Sequence, residues 1–187
     1  GSGESTFSAA TSSDNHCQGV AMFAAGDVGA RSGVAPDADL VFSSIPDIEG
    51  SNEGDDYASD LDAARAAGAI ASSQSWGYNS GGSRYNISEL ESYISSNSLT
   101  NEQGLAGLMH GSTSGQALTD ANTYITALND FEDSGVMVWA AANDSGESDA
   151  NAMAGLPELF PQLGEAWLVA NVVEYTGDSD LSNATSS

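Results

Sequence analysis

Val136-Met137-Val138-Trp139-Ala140-Ala141-Ala142 is an unbroken apolar run, and its reading decides the fold. A strand with one wet face alternates apolar and polar residues, whereas one covered on both faces does not. The run therefore predicts a buried strand. Working outward, Gln116 to Phe131 places Leu118, Tyr124, Ile125 and Leu128 near helical spacing, and Gly135 ends that helix before the strand begins. A second apolar strand is predicted over Trp167 to Tyr175. Upstream, Asn52 to Ala67 reads as a helix with Tyr57, Leu61 and Ala64 on one face and Gly68 as its stop, leading into a buried strand over Ala69 to Ser75. Leu40 to Ile45 reads as a short strand closed by Pro46, and Gly26 to Gly33 as a turn. His16 to Ala25 reads as a short helix carrying Val20, Met22, Phe23 and Ala24, with Asp14 and Asn15 as candidate caps after a polar loop from Gly1. Alternating strands and helices predict an α/β fold: three layers, a mostly parallel sheet, and helices on both faces.

The stretch 78–115 is rich in Ser, Asn and Gly, with one weak helical segment at Ser88 to Ile94. So long a polar stretch between core elements predicts a surface insertion in a single domain spanning 1–187. No internal repeat is visible.

Composition excludes several partners. The 187 residues include 27 acidic side chains against three arginines, Arg31, Arg65 and Arg84, for a net charge of −24. Such a chain repels phosphate backbones and anionic lipid, so neither nucleic acid nor a membrane surface is expected as a partner. It favours hard cations, and calcium is the one that carboxylate and carbonyl oxygens would hold as a structural ion. Cys17 is the only cysteine, which rules out an intrachain disulfide and a multi-cysteine metal site. No apolar run reaches the ~20 residues of a membrane span, and no signal peptide is apparent.

Several short segments carry chemistry. His16 opens a helix in His16-Cys17-Gln18-Gly19-Val20-Ala21, and a histidine so placed is, taken alone, more often a surface or capping residue. Gly33-Val34-Ala35-Pro36-Asp37-Ala38-Asp39-Leu40 is a turn with a proline leading into a strand. Ser75-Trp76-Gly77 closes one strand, and Ala141-Ala142-Asn143-Asp144 closes another. Asn143 can supply an amide donor to a developing oxyanion, or simply form an Asx turn.

In this order the segments resemble the subtilisin-like serine peptidases. That family writes His-Gly-Thr-His-Val-Ala-Gly, of which His16 and Val20-Ala21 keep identity; Cys17, Gly19 and Met22 depart from it. Its Gly-Val-Ala-Pro-x-Ala-x-Leu pattern is matched at every fixed position. Its Ser-Trp-Gly is present at Ser75 to Gly77, and its Ala-Ala-Gly-Asn-Asp is present with Ala142 in place of glycine. The resemblance implies His16 as general base, Asn143 as oxyanion donor, and the main chain of Ser75, Trp76, Gly77, Ala141 and Ala142 as binding an extended polypeptide substrate beside the first specificity pocket. It implies no cofactor in the chemistry and no catalytic metal.

Leu156-Pro157-Glu158-Leu159-Phe160-Pro161, Trp167-Leu168 and Ser182-Asn183 are most similar to the autotransporter passenger subtilases of Gram-negative bacteria, which implies a secreted or cell-surface protein. The family's Asp-Thr-Gly and Gly-Thr-Ser-Met-Ala motifs do not occur among the 187 residues. The resemblance therefore implies an incomplete peptidase, inactive as it stands. A binding or structural module that kept the fold and lost the chemistry is the rival reading. Gly111-Ser112-Thr113-Ser114-Gly115 centres on threonine and reads as a loop, His110 as a surface histidine, and Glu49, Glu53, Asp55 and Asp56 as a solvated helix start.

Overall fold

Helix ends and strand ends both leave backbone groups that need partners, and the first part of the chain shows how one short motif meets that need. The computed structural model describes residues 16–28, 31–41, 53–80, 83–141, 149–171, 173–174 and 185–186. The chain divides into two compact units, Gly1–Ile45 and Pro46–Ser187. In the first, α1 (His16–Ala25) runs into a hairpin of β1 (Asp27–Val28) and β2 (Arg31–Ser32). The chain then returns along the end of α1. The Gly33, Val34 and Ala35 N–H groups donate to the carbonyls of Gly26, Phe23 and Ala24 at 2.6, 3.0 and 2.8 Å. Carbonyls that a helix end leaves open are thus satisfied by the Gly-Val-Ala segment. Gly33 is required by closeness: a Cβ there would lie 2.7 Å from the Ala25 and Gly26 nitrogens. The helix matches its expected bounds, and the expected turn is this hairpin. Asp14 and Asn15 lie outside the described residues. Of the strand expected over Leu40 to Ile45, Leu40 and Val41 are irregular and the rest lies outside the described residues.

The second unit is the α/β body. α2 (Glu53–Ala66) leads to β3 (Ala71–Gln74), then a hairpin of β4 (Asn79–Ser80) and β5 (Ser83–Arg84). α3 (Ile87–Ser96), α4 (Asn101–His110) and α5 (Gln116–Glu132) follow before β6 (Val136–Ala140). A short α6 (Leu156–Leu159) and a 3-10 turn (Pro161–Leu163) precede β7 (Trp167–Ala170); β8 (Val173–Glu174) pairs with β9 (Thr185–Ser186). The main sheet is β3-β6-β7, all parallel, with Gln74 opposite Trp139 and Trp139 opposite Val169. Met137 and Trp139 point into the core formed by Tyr57, Ala58 and Leu61 of α2, Leu105 and Met109 of α4, and Tyr124, Leu128 and Phe131 of α5. The expected α/β class with an open parallel sheet is therefore present. The strands are shorter than expected because their apolar runs continue past the paired residues.

Helix ties are mostly apolar, with two polar additions. The Arg65 guanidinium lies 3.1 Å from Asp62 and 3.6 Å from Asp130, linking α2 to α5. Glu132, at the end of α5, accepts the Ala166 N–H at 3.1 Å just ahead of β7. Burial holds its carboxyl above the ordinary carboxylate range, Glu165 pushes the same way, and the Ala166 N–H pushes back.

The stretch 78–115 differs from its reading as a surface insertion. Both of its helices begin with a capping box, Asn86 with Glu89 and Thr100 with Gln103, each pair exchanging side-chain and main-chain hydrogen bonds. Leu90, Leu105 and Ala106 are wholly buried, and α4 belongs to the main core. The helical segment expected at Ser88 to Ile94 lies within α3, whereas polar composition concealed α4. Leu105→Ala should accordingly destabilise the protein by about 2–5 kcal/mol in urea unfolding. A change below about 0.5 kcal/mol, as at an ordinary surface site, would contradict the placement of α4 in the core.

Candidate active site

Parallel strands in one sheet all end on the same side, and the crevice outside those ends is where open α/β sheets bind ligands. Here β3 ends toward Ser75-Trp76-Gly77, beside β6, which ends toward Ala140 and Ala141. The Gln74–Trp139 register sets those exits side by side. The pairing continues one residue beyond β6, where the Ala141 N–H donates to the Ala170 carbonyl at 2.8 Å.

The side chains of β3 explain why its exit is held. Ser72, Gln74 and Trp76 share one face by the two-residue repeat of a strand. Gln74 Nε2 donates to Ser72 Oγ at 2.7 Å, and Trp76 Nε1 donates to Gln74 Oε1 at 2.6 Å. The indole so oriented stacks on Tyr57 with centroids 4.7 Å apart and planes 8° from parallel. It also meets Tyr78 edge-on at 5.9 Å and Trp139 at 5.4 Å. Trp139 in turn stacks on Trp167 at 5.4 Å, and the Trp167 Nε1 donates to the Ala154 carbonyl at 2.9 Å. Beneath lies Tyr124, 5.9 Å from Tyr57; burial first, then Tyr57, pushes its hydroxyl pKa up, so it stays neutral. Trp76 is thus an anchor in an aromatic layer. What this layer does not engage at the exit is main chain, together with Ser75.

Asn151 sits against that exit. Its N–H donates to the Ala141 carbonyl at 2.6 Å. A Cβ on Gly77 would overlap the Asn151 carboxamide, so the glycine is needed for close approach. The segment around Asn151 is clamped from the other side by residues that follow the β4–β5 hairpin. Ile87 N–H donates to the Ala150 carbonyl at 3.0 Å, Ala152 N–H to the Tyr85 carbonyl at 2.8 Å, and Ser88 Oγ to Asp149 at 2.7 Å. Asn86 and Asn151 form the bridge between the two segments. The sequence reading missed Asn151 and this clamp, since neither carries a periodic or motif signal.

Of the residues expected at the site, Ser75, Trp76, Gly77 and Ala141 are brought together in the second unit. His16 opens α1 in the first unit. Ala142 and Asn143 lie outside the described residues. His110 ends α4, and Gly111, in left-handed conformation with φ 67°, begins the link to α5, so the Gly-Ser-Thr-Ser-Gly stretch is a connection between helices. Among the described residues no cluster of three or more His, Cys, Asp or Glu side chains has metal-holding geometry. No described helix is long and apolar enough to cross a membrane.

Comparison with known proteins gives one match. The family model described as the subtilase family, Peptidase_S8, matches residues 2–187. No curated protein and no solved structure matches the chain.

The packing of Gly77 on Asn151 is testable as a pair. Gly77→Ala should destabilise the protein by about 1–3 kcal/mol through overpacking. In the Asn151→Ala background, where the clashing atoms are gone, the same change should cost at least 0.5 kcal/mol less, on the order of a contact coupling. Additive costs in the double-mutant cycle would mean that the two residues do not touch.

Proposed function

Because this chain belongs to the subtilase family of serine peptidases, we propose that its strand exits bind an extended polypeptide for hydrolysis at a peptide bond. The observation that carries the reading is the pair of adjacent parallel exits, Ser75-Trp76-Gly77 beside Ala140-Ala141, on a chain that matches the family along its length. A substrate strand lying along Ser75 to Gly77 would add to the sheet by main-chain hydrogen bonds, which is how β-augmentation binds many side chains with one geometry. In sequence, Ala142 and Asn143 follow directly on Ala141.

On this reading each remaining residue has a defined part. His16 takes the proton of a serine nucleophile and returns it to the leaving amine. The Asn143 side-chain amide donates to the oxyanion as the carbonyl becomes tetrahedral. No cofactor takes part, and the acidic composition suits calcium as a structural ion. The similarity of Leu156 to Pro161 and of Trp167-Leu168 to the autotransporter subtilases supports a secreted or cell-surface enzyme. The nucleophile would lie in a Gly-Thr-Ser segment and its aspartate partner in an Asp-Thr-Gly segment, neither of which occurs in these 187 residues.

A fluorophosphonate probe should therefore label no serine between Gly1 and Ser187, and the chain by itself should hydrolyse no peptide. Labelling of any of these serines would overturn that part of the proposal. In a longer form that contains both segments and hydrolyses peptides, His16→Ala should abolish turnover. Asn143→Ala should lower kcat by about 10²–10³ with KM nearly unchanged, since the donor acts on charge formed in the transition state. A kcat within a factor of about two would place the oxyanion donor elsewhere. Peptide binding without turnover in that longer form would favour the module that kept the fold and lost the chemistry.

A further inference from the structure

A donor is left unused at the place where the substrate is proposed to lie. Asn151 is 1% exposed; its Oδ1 accepts the Met153 N–H at 2.9 Å, and its Nδ2 has no partner among the described residues. The Met153 bond settles which amide atom is free, because the inverted amide would set Nδ2 against an N–H. A buried donor without an acceptor is held against a free-energy penalty that a ligand acceptor would remove. Trp139 Nε1 is also buried without a partner among the described residues, but its ring lies against Trp76 and Trp167, so reaching it would mean breaking the aromatic layer. Asn151 instead lies at the strand exits, bonded through its N–H to Ala141 and packed through its carboxamide on Gly77.

We propose that Asn151 determines specificity: its Nδ2 donates to a carbonyl oxygen at the end of the substrate side chain that precedes the scissile bond. The site thereby selects a carboxamide side chain, glutamine or asparagine, over an apolar chain of similar length. This rests on the peptidase reading of the strand exits. The choice of a neutral acceptor follows from what surrounds it. Ser75 to Tyr78, Ala140 to Ala141 and Ala150 to Ala154 contain no charged residue. A glutamate or aspartate carboxylate would lose its hydration there, beside a segment that carries Asp149 and in a chain of net charge −24. An apolar side chain would fill space and leave Nδ2 as unpaired as before. Sites built around a polar group discriminate in this way against ligands that lack the matching one.

The test is binding, which needs no nucleophile. Extended peptides identical except for a last residue of glutamine, glutamate γ-methyl ester or norleucine are titrated into the 15N-labelled chain. The first two should bind about 3–10-fold more tightly than the norleucine peptide, the span of one hydrogen bond. They alone should shift the Asn151 side-chain amide resonances, assigned by their loss in Asn151→Asp. That variant keeps the acceptor for Met153 and replaces the free donor with an oxygen, so it should lose the preference for the acceptor-only ester. Equal affinity for the ester and norleucine peptides, or an unmoved Asn151 amide, would overturn the proposal while leaving the peptidase reading intact. Binding of none of the three would overturn the peptidase reading and the proposal together.

Discussion

The parallel register that sets Gln74 opposite Trp139 governs most of what the second unit can do. It brings the exits of β3 and β6 to one edge, and it also aligns the side chains that hold them there. Trp76 reaches across to Trp139 only because the strands end together, and Trp139 reaches Trp167 through the next pairing. A slip of one residue would turn Met137 and Trp139 out of the core and take Trp139 from its place against Trp76. The indole, the glutamine amide and the serine hydroxyl fix the exit without using its main chain. On the proposed reading, that division leaves main-chain groups for an extended polypeptide.

The close contact of Gly77 with Asn151 adds a second constraint. It ties the exit of β3 to the segment that returns to Ala141, and the residues after the β4–β5 hairpin brace that segment from outside. The stretch 78–115 therefore serves the site as well as the core. The high negative charge, by contrast, contributes little to this geometry. Arg65 bridges Asp62 and Asp130 at a partly exposed position, a kind of pair worth about 0–1 kcal/mol and weakened by salt.

Much of this was legible in the residues, for identifiable reasons. Helical spacing of apolar residues revealed α2 and α5, and short runs between turn signals revealed the three strands of the sheet, although β7 leaves Leu168 and Val169 exposed. The Gly-Val-Ala-Pro motif read as a turn leading into a strand, and its hydrogen bonds to the carbonyls at the end of α1 could not be read from that turn signal. The two helices between 86 and 110 were written in capping boxes rather than apolar runs, so a composition-led reading passed over α4. Ser75, Trp76, Gly77 and Ala141 were singled out by their resemblance to family motifs, and the register of β3 with β6 sets them at adjacent exits. Asn151 was not, since its role comes from a close approach to Gly77, 74 positions earlier by the numbering, which no local pattern encodes.

The most direct test of the account is amide hydrogen exchange of this chain with and without saturating extended substrate peptide. If the exit of β3 receives the substrate as an added strand, exchange should slow across Ser75 to Gly77, while the buried face of α5 stays unchanged. Saturable binding with slowing confined to other segments, and none at Ser75 to Gly77, would contradict it.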